Sequence, residues 1–277
     1  MPTADTNPGS SGRGRPKRFP ADSRIRVANT GSTNADVMAW VASGQPPGAV
    51  LVADHQSAGR GRLARTWEAS AGDALLTTFL VDAPDVSATL PLVLGVAALD
   101  VVHARGGTDA GLKWPNDVVV GSRKLAGILV EAVPVDGAIA GAAAGIGMNL
   151  LGIPVASASD SGGSVENAIS LRELVGSDDP AIVGVEAVLD DLCDRFDYWL
   201  DLVGREPHGQ QTFLEAYRER CVSIGQRVRV ERIGDDEITG TAVRIDDEGR
   251  LLVERSAEAA GGIVVVSAGD VHHLRPA

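Results

Sequence analysis

Leu112-Lys113-Trp114-Pro115-Asn116-Asp117-Val118-Val119-Val120, then Gly121-Ser122, then Arg123-Lys124-Leu125-Ala126-Gly127-Ile128-Leu129-Val130-Glu131 is the stretch whose pattern decides the fold. Two runs rich in Val, Ile and Leu flank a Gly-Ser turn, which reads as a hairpin. Pro115 has no N–H to give to a ladder, so the first run is read as one strand interrupted there and kept out of a regular central position. The interruption forfeits sheet hydrogen bonds and sets Lys113, Asn116 and Asp117 beside backbone of special shape.

Upstream, residues 90–104 (LPLVLGVAALDVVHA) have the pattern of a buried helix with Pro91 in its first turn, and residues 74–81 read as a strand. Residues 49–53 are a continuous apolar run, a buried strand that feeds through His55-Gln56-Ser57-Ala58 into Gly59-Arg60-Gly61-Arg62-Leu63-Ala64-Arg65-Thr66-Trp67. This loop places three guanidiniums within six residues of a chain whose net charge is -12. Its glycines let backbone approach a ligand, its arginines match phosphate or carboxylate, and its tryptophan offers a stacking face. A solvated basic loop is the alternative. Further upstream, Ile25-Arg26-Val27 reads as a short strand, and Ser32-Thr33-Asn34 precedes a helical pattern of Val37, Met38, Trp40 and Val41. Capping by Ser32 or Thr33 would by itself explain those polar residues. Residues 1–22, rich in Gly, Pro, Ser and Arg, read as a disordered tail, and its Gly12-Arg13-Gly14-Arg15 has no strand to hold it.

Downstream, residues 139–150 form a small-residue strand whose glycines allow close approach, and residues 157–164 read as a flexible insertion. Ile182, Val185, Leu189, Leu192, Phe196, Trp199 and Val203 alternate spacings of three and four, an amphipathic helix whose stripe is core. A shorter helix follows at 210–220. From Ser223 onward, short β-type runs at 226–232, 238–245, 251–255, 262–267 and 271–274 predict a small closed or nearly closed barrel. The main body reads as α+β.

The acidic excess, 37 Asp and Glu against 25 Lys and Arg, opposes general nucleic-acid binding, so any basic site is local. No apolar run is long enough to span a bilayer and no secretory apolar segment follows the basic N-terminus, so a cytoplasmic protein is expected. Cys193 and Cys221 lack metal-site spacing and are read as reduced thiols. No nucleophile elbow, Walker loop, HExxH or dinucleotide fingerprint is present. The fixed cations and the Asn116/Asp117 pair suit a reaction at phosphate, such as attack of a carboxylate on the α-phosphorus of a nucleoside triphosphate. There the protein aligns two anions and screens their repulsion. Asn116 or Asp117 would offer oxygen to Mg²⁺.

Gly59-Arg60-Gly61-Arg62-x-x-Arg65-x-Trp67, Lys113-Trp114-Pro115-Asn116-Asp117 and the 123–131 segment resemble, in order and spacing, the three signature segments of biotin protein ligases. Ser32-Thr33-Asn34, Gln56 and Gly145-Ile146-Gly147-Met148-Asn149-Leu150 also match, and the resemblance covers residues 24–277. It implies an α+β catalytic domain at 23–221, a mixed sheet with flanking helices like the class II synthetases and biotin/lipoate ligases, and an SH3-like β-barrel at 222–277. It further implies that biotin's carboxylate attacks ATP to give biotinyl-5'-adenylate, and that a carrier lysine then takes the acyl group. Lys124, Arg60 and Lys113 would be catalytic. Ser32, Thr33, Asn34, Gln56, Arg60, Gly61, Arg62, Lys124 and Gly127 would bind biotin. Arg62, Arg65, Trp67, Asn116 and Asn149 would bind ATP or the adenylate, and Asn116 and Asp117 would hold Mg²⁺.

ATP and Mg²⁺ would be co-substrate and metal, biotin the substrate, with no tightly bound prosthetic group. The implied partner is a biotin carboxyl carrier domain, with no specific DNA, no membrane, and a monomer or homodimer as the working state. Two departures stand out. Ala64 replaces a usual glycine and would stiffen the loop, and Met148 replaces a usual isoleucine without effect. The family's repressor members carry an N-terminal helix-turn-helix; only a short tail precedes Ile25 here, so no repressor role is expected. A lipoate-protein ligase, a non-catalytic biotin or adenylate sensor, and a nucleic-acid-binding module are the competing readings.

Overall fold

The computed structural model describes residues 16–62, 65–153, 167–231, 237–255 and 261–274. The chain starts with β1 (Arg24–Thr30), α1 (Thr33–Ala42) and β2 (Val50–Gln56), a unit in which β1 and β2 run parallel. β3 (Ala74–Asp82) follows, buried along nearly its whole length, and then α2 (Leu90–Ala104). β4 (Ala110–Lys113), β5 (Asp117–Val120), β6 (Arg123–Val135) and β7 (Ala138–Asn149) complete a seven-stranded sheet of order β1-β2-β3-β7-β6-β5-β4. Every pairing after β1/β2 is antiparallel, so the sheet is mixed.

After β7 come α3 (Leu171–Val175), α4 (Pro180–Val183), α5 (Val185–Arg205) and α6 (Gly209–Arg220). The apolar stripe of α5 packs on α2, which lies between α5 and the sheet and is therefore buried almost all round. Ile182, read as the first residue of that stripe, belongs to α4, because Gly184 separates the two helices. Among the described residues no helix is long and apolar enough to cross a membrane.

Three further expectations need correction. The run at 112–120 is not one interrupted strand: β4 and β5 pair antiparallel, Lys113 opposite Asp117, with Trp114-Pro115-Asn116 forming the turn and the Trp114–Pro115 peptide cis. A residue without an N–H fits a turn better than a ladder.

The C-terminal barrel is the second. β8 (Arg227–Glu231), β9 (Ile238–Ile245), β10 (Leu251–Glu254), β11 (Ile263–Val266) and β12 (Asp270–His273) form an antiparallel sheet of order β11-β10-β9-β8-β12. Among the described residues no ladder joins β11 to β12, although only residues 267–269 connect them, so the sheet stays open. Alternation marks where strands lie, but closure depends on their tilt and stagger, which a four-residue edge strand does not reveal. The buried face of this sheet, with Val228, Ala242, Ile245, Leu251 and Val253, is continuous with the main core.

The third correction concerns the expected tail at 1–22. Residues 1–15 lie outside the described residues, but Phe19 is only 3% exposed and sits in the core, stacked on Phe196 at 5.4 Å and edge-on to Phe79 at 4.9 Å. Arg18 beside it pairs with Asp85, Asp197 and Asp201, and Lys17 with Asp194 at 2.6 Å. One aromatic residue in a polar segment has no period, and its acidic partners are supplied mostly by α5, far along the chain. The insertion at 157–164 and Ala64 both fall outside the described residues.

The C-terminal sheet is fastened to the β4–β5 turn. The Trp114 backbone N–H donates to Ser223 Oγ at 3.1 Å, the Trp114 indole donates to Gly249 O at 2.9 Å, and Ser223 Oγ lies 3.0 Å from His273 Nε2. Burial, helped by the nearby Lys113 charge, pushes His273 down from 6.5 to about 4. The fold therefore holds the neutral imidazole, whereas the unfolded chain takes up a proton near 6.5. The resulting stabilisation is complete above that pH and is lost as pH falls toward 4. Thermal melts between pH 7 and pH 4, about the span set by these two values, are expected to show a shallower loss for His273→Gln than for wild type; identical slopes would contradict this.

Candidate active site

A closed network of polar side chains occupies the start of α1. Thr33 and Asn34, 4% and 5% exposed, meet Thr78 on β3, which is fully buried, and Gln56 at the end of β2. Gln56 Oε1 accepts from the Thr33 backbone N–H at 2.8 Å and from its hydroxyl at 3.0 Å. The Thr78 hydroxyl is 2.8 Å from both Thr33 Oγ1 and Asn34 Oδ1. Asn34 Nδ2 donates to Leu129 O at 3.0 Å and to Glu131 Oε2 at 2.9 Å. Ser32 holds the N-cap position, yet its side chain makes no capping bond, so capping does not explain these residues. Buried polar groups persist only when bonded, and here they bond one another into a directional pocket that is neutral apart from Glu131, whose charge Arg60 meets. Gly145 makes room for it, since a Cβ there would stand 1.9 Å from Asn34 Oδ1.

Two residues further along β7, on the same sheet face, Gly147 seats the Trp67 indole. A Cβ at Gly147 would stand 2.4 Å from the ring, and one at its register partner Gly127 would stand 2.9 Å from it. The expectation that Gly127 binds biotin thus meets a ring already lying over it. Lys124 Nζ is 5.5 Å from the indole centroid and 2.7 Å from Asp117 Oδ1. A register shift between Val118 and Val119 places Leu125 as the extra residue of β6, which re-aims Lys124. Its backbone is pinned because Lys124 O accepts from Ile169 N at 3.0 Å and from Asn149 Nδ2 at 3.3 Å. Asn149, expected to bind ATP or the adenylate, is buried and braces this strand, with its Oδ1 left without a hydrogen-bond partner among the described residues.

The arginine loop is tied at its stem: Gly61 N donates to Arg65 O at 2.7 Å and Trp67 N to Gly59 O at 3.0 Å. Gly59 is required there, because a Cβ would stand 2.3 Å from Trp67 O. The three arginines diverge rather than act together. Arg60 pairs with Glu131 at 2.6 Å, Arg62 donates to Asn116 Oδ1 at 3.3 Å, and Arg65 pairs with Asp270 of β12. Each is anchored to a different part of the fold, so the loop is held at three points.

Burial pulls Arg62 and Lys113 below their ordinary values, opposed in both cases by Asp117 and Asp270. Four cations, Arg62, Arg65, Lys113 and Lys124, thus surround two carboxylates, a local positive excess on an acidic chain. Thr78, Glu131 and Asp270 are the site residues that sequence reasoning missed. A Thr-Thr pair inside an otherwise apolar strand signalled the first, and a carboxylate ending a β6 apolar run signalled the second. Asp270 carried no signal.

A hydrogen-bonding pocket followed on one sheet face by a cationic strip suits a ligand with a polar ring at one end and an anion at the other. Residues 25–149 match the Biotin/lipoate A/B protein ligase family, and residues 223–274 match the Biotin protein ligase C terminal domain. The chain is 40% identical to the Biotin--[acetyl-CoA-carboxylase] ligase of Mycobacterium tuberculosis, the match covering 90% of this chain and 88% of that one. It is 34% identical to the enzyme of the same name from Paracoccus denitrificans, covering 88% and 98% respectively. The solved structure of the biotin protein ligase from Aquifex aeolicus in complex with biotin and ATP superposes with a TM-score of 0.73 at 25% identity, covering 91% of this chain and 99% of that one. The chain belongs to the biotin protein ligases. By that membership it is an enzyme, an ATP-dependent biotin ligase.

Proposed function

We propose that this chain joins biotin to ATP at the Lys124 strip and then transfers the biotinyl group to one lysine of a biotin carboxyl carrier domain. In the first step a biotin carboxylate oxygen attacks the α-phosphorus, and the bond to the β-phosphate breaks as pyrophosphate leaves. In the second, the neutral ε-amine attacks the acyl carbon, the bond to the phosphate oxygen breaks, AMP departs and the amine releases a proton.

The observation that carries this reading is the spacing on β7. Asn34 lies over Gly145 and Trp67 over Gly147, so the pocket and the seat of the ring that Lys124 faces are about 7 Å apart on one face. Biotin has the same layout, a ureido ring joined by a short alkyl chain to a carboxylate. Its ring needs donors and acceptors, which Thr33, Asn34, Gln56 and Thr78 would offer on exchanging bonds within their network, whereas the dithiolane ring of lipoate has little use for them. Ser32 would line the same end.

Lys124 would hold the carboxylate and later the acyl-phosphate oxygens, and Arg60, Gly61 and Arg62 would close over the adenylate, excluding water from a hydrolysable anhydride. Lys113 would face the phosphates. Arg65 would serve the nucleotide end on leaving Asp270, and Trp67 would stack near the adenine on moving from its seat over Gly127.

Asn116 and Asp117 offer hard oxygen donors with a single negative charge, and Asp117 is already paired with Lys124. This suits Mg²⁺ carried in by polyphosphate and keeping most of its waters, where it would neutralise the departing pyrophosphate. The free buried thiols Cys193 and Cys221 fit a reducing cytoplasm. Whether the enzyme works as a monomer or a homodimer does not enter the chemistry of one site. The activation step is tested by pyrophosphate release from ATP and Mg²⁺ with biotin or lipoate added. Release is expected with biotin; release with lipoate alone would contradict the assignment.

A further inference from the structure

We propose that Glu131 is a positioning residue that aims the Arg60 guanidinium and ties it to the ring pocket. The proposal rests on the biotin-activating reading of the site. One carboxylate oxygen, Glu131 Oε2, accepts from two places: Asn34 Nδ2 at 2.9 Å and Arg60 Nη2 at 2.6 Å. Asn34 has one orientation available, because its amide also donates to Leu129 O at 3.0 Å and its Oδ1 is 2.8 Å from the Thr78 hydroxyl. Glu131 is therefore read from one side by a fixed carboxamide and from the other by the first arginine of the loop.

Among the described residues the hydrogen bonds of the Arg60 fork leave from Nη2 alone, which also contacts Met38 Sδ at 3.6 Å. Nη1 and Nε are left to meet an incoming anion. A long side chain loses much rotamer freedom when a ligand fixes it, and a carboxylate holding one nitrogen in advance removes part of that cost. Glu131 is about one-quarter exposed, so its charge is only partly screened and its pull on Arg60 is directional. Strand β6 carries both Glu131 and Lys124, so ring pocket, loop and reacting end share one rigid element.

Glu131→Gln isolates the role, since the amide oxygen still accepts from Asn34 while the ionic hold on Arg60 is lost. The full chain is compared with Glu131→Gln, Arg60→Ala and the double variant by biotin-dependent pyrophosphate release and thermal melting. Glu131→Gln is expected to raise the KM for biotin ~10-fold, the size of one charge-assisted hydrogen bond, with kcat changed by less than about twofold and Tm preserved. The double variant should be no worse than Arg60→Ala alone, because the two residues act as one unit. Multiplying effects in the double variant, or a lowered Tm with unchanged KM, would overturn the role of Glu131 alone. Wild-type protein that releases no pyrophosphate with biotin would overturn the underlying reading as well.

Discussion

Lys124→Ala is expected to slow biotin-dependent pyrophosphate release by ~10²–10³-fold, the loss typical of removing one preorganised charge donor from a reacting oxyanion. The ammonium stands 2.7 Å from Asp117 and faces the Trp67 ring, on a backbone held by Ile169 and Asn149. Two consequences follow from its removal. The donor proposed for the biotin carboxylate and the α-phosphate is gone, and Asp117 keeps only Arg62 and Lys113 to offset its charge beside two more anions. Lys124→Arg should rescue poorly, because the side chain crosses Gly127 so closely that a Cβ there would stand 2.8 Å from Lys124 Cε. Thermal melting should stay near wild type, since the side chain is more than one-third exposed and fills no core space. An unchanged rate would remove Lys124 from the chemistry.

Phe19→Ala is expected to cost about 3–5 kcal/mol of stability, the range for emptying an aromatic site in a packed core. Its ring closes a cluster with Phe79 of the sheet and Phe196 of α5, and so joins the two layers on either side. Deleting residues 1–22 should cost more, because Asp85, Asp197 and Asp201 then also lose Arg18. Chemical denaturation of the three proteins, read by tryptophan fluorescence, measures both losses. A deletion that leaves the midpoint in place would return the whole segment to the status of a tail.

What could be read from the sequence was local. The hairpin after Gly121-Ser122, the helix at Leu90–Ala104 and each C-terminal strand show in period and turn residues, because a strand or helix writes its pattern within its own length. The signature segments likewise brought Lys124, Asp117 and the loop arginines forward as candidates. Contacts made across the chain were not legible. Phe19 is held by residues about 60 and 177 positions away, Asp270 reaches Arg65 across 205, and Thr78 serves Thr33 and Asn34 from another strand. The barrel failed for the same reason: strand positions are local, whereas pairing of the two edges is a property of the whole sheet. Helix capping, a sufficient local explanation for Ser32-Thr33-Asn34, gave way to a buried network that only the folded chain assembles.

The central claim is that the neutral pocket and the Lys124 strip together select and activate biotin for a carrier lysine. Purified protein with ATP, Mg²⁺ and an apo biotin carboxyl carrier domain, offered biotin and lipoate in separate reactions, tests it most directly by the mass of the carrier. Addition of one biotinyl group, blocked when the carrier's acceptor lysine is replaced by arginine, is the expected result. Lipoyl addition in place of biotinyl addition would contradict it, and so would a carrier whose mass does not change.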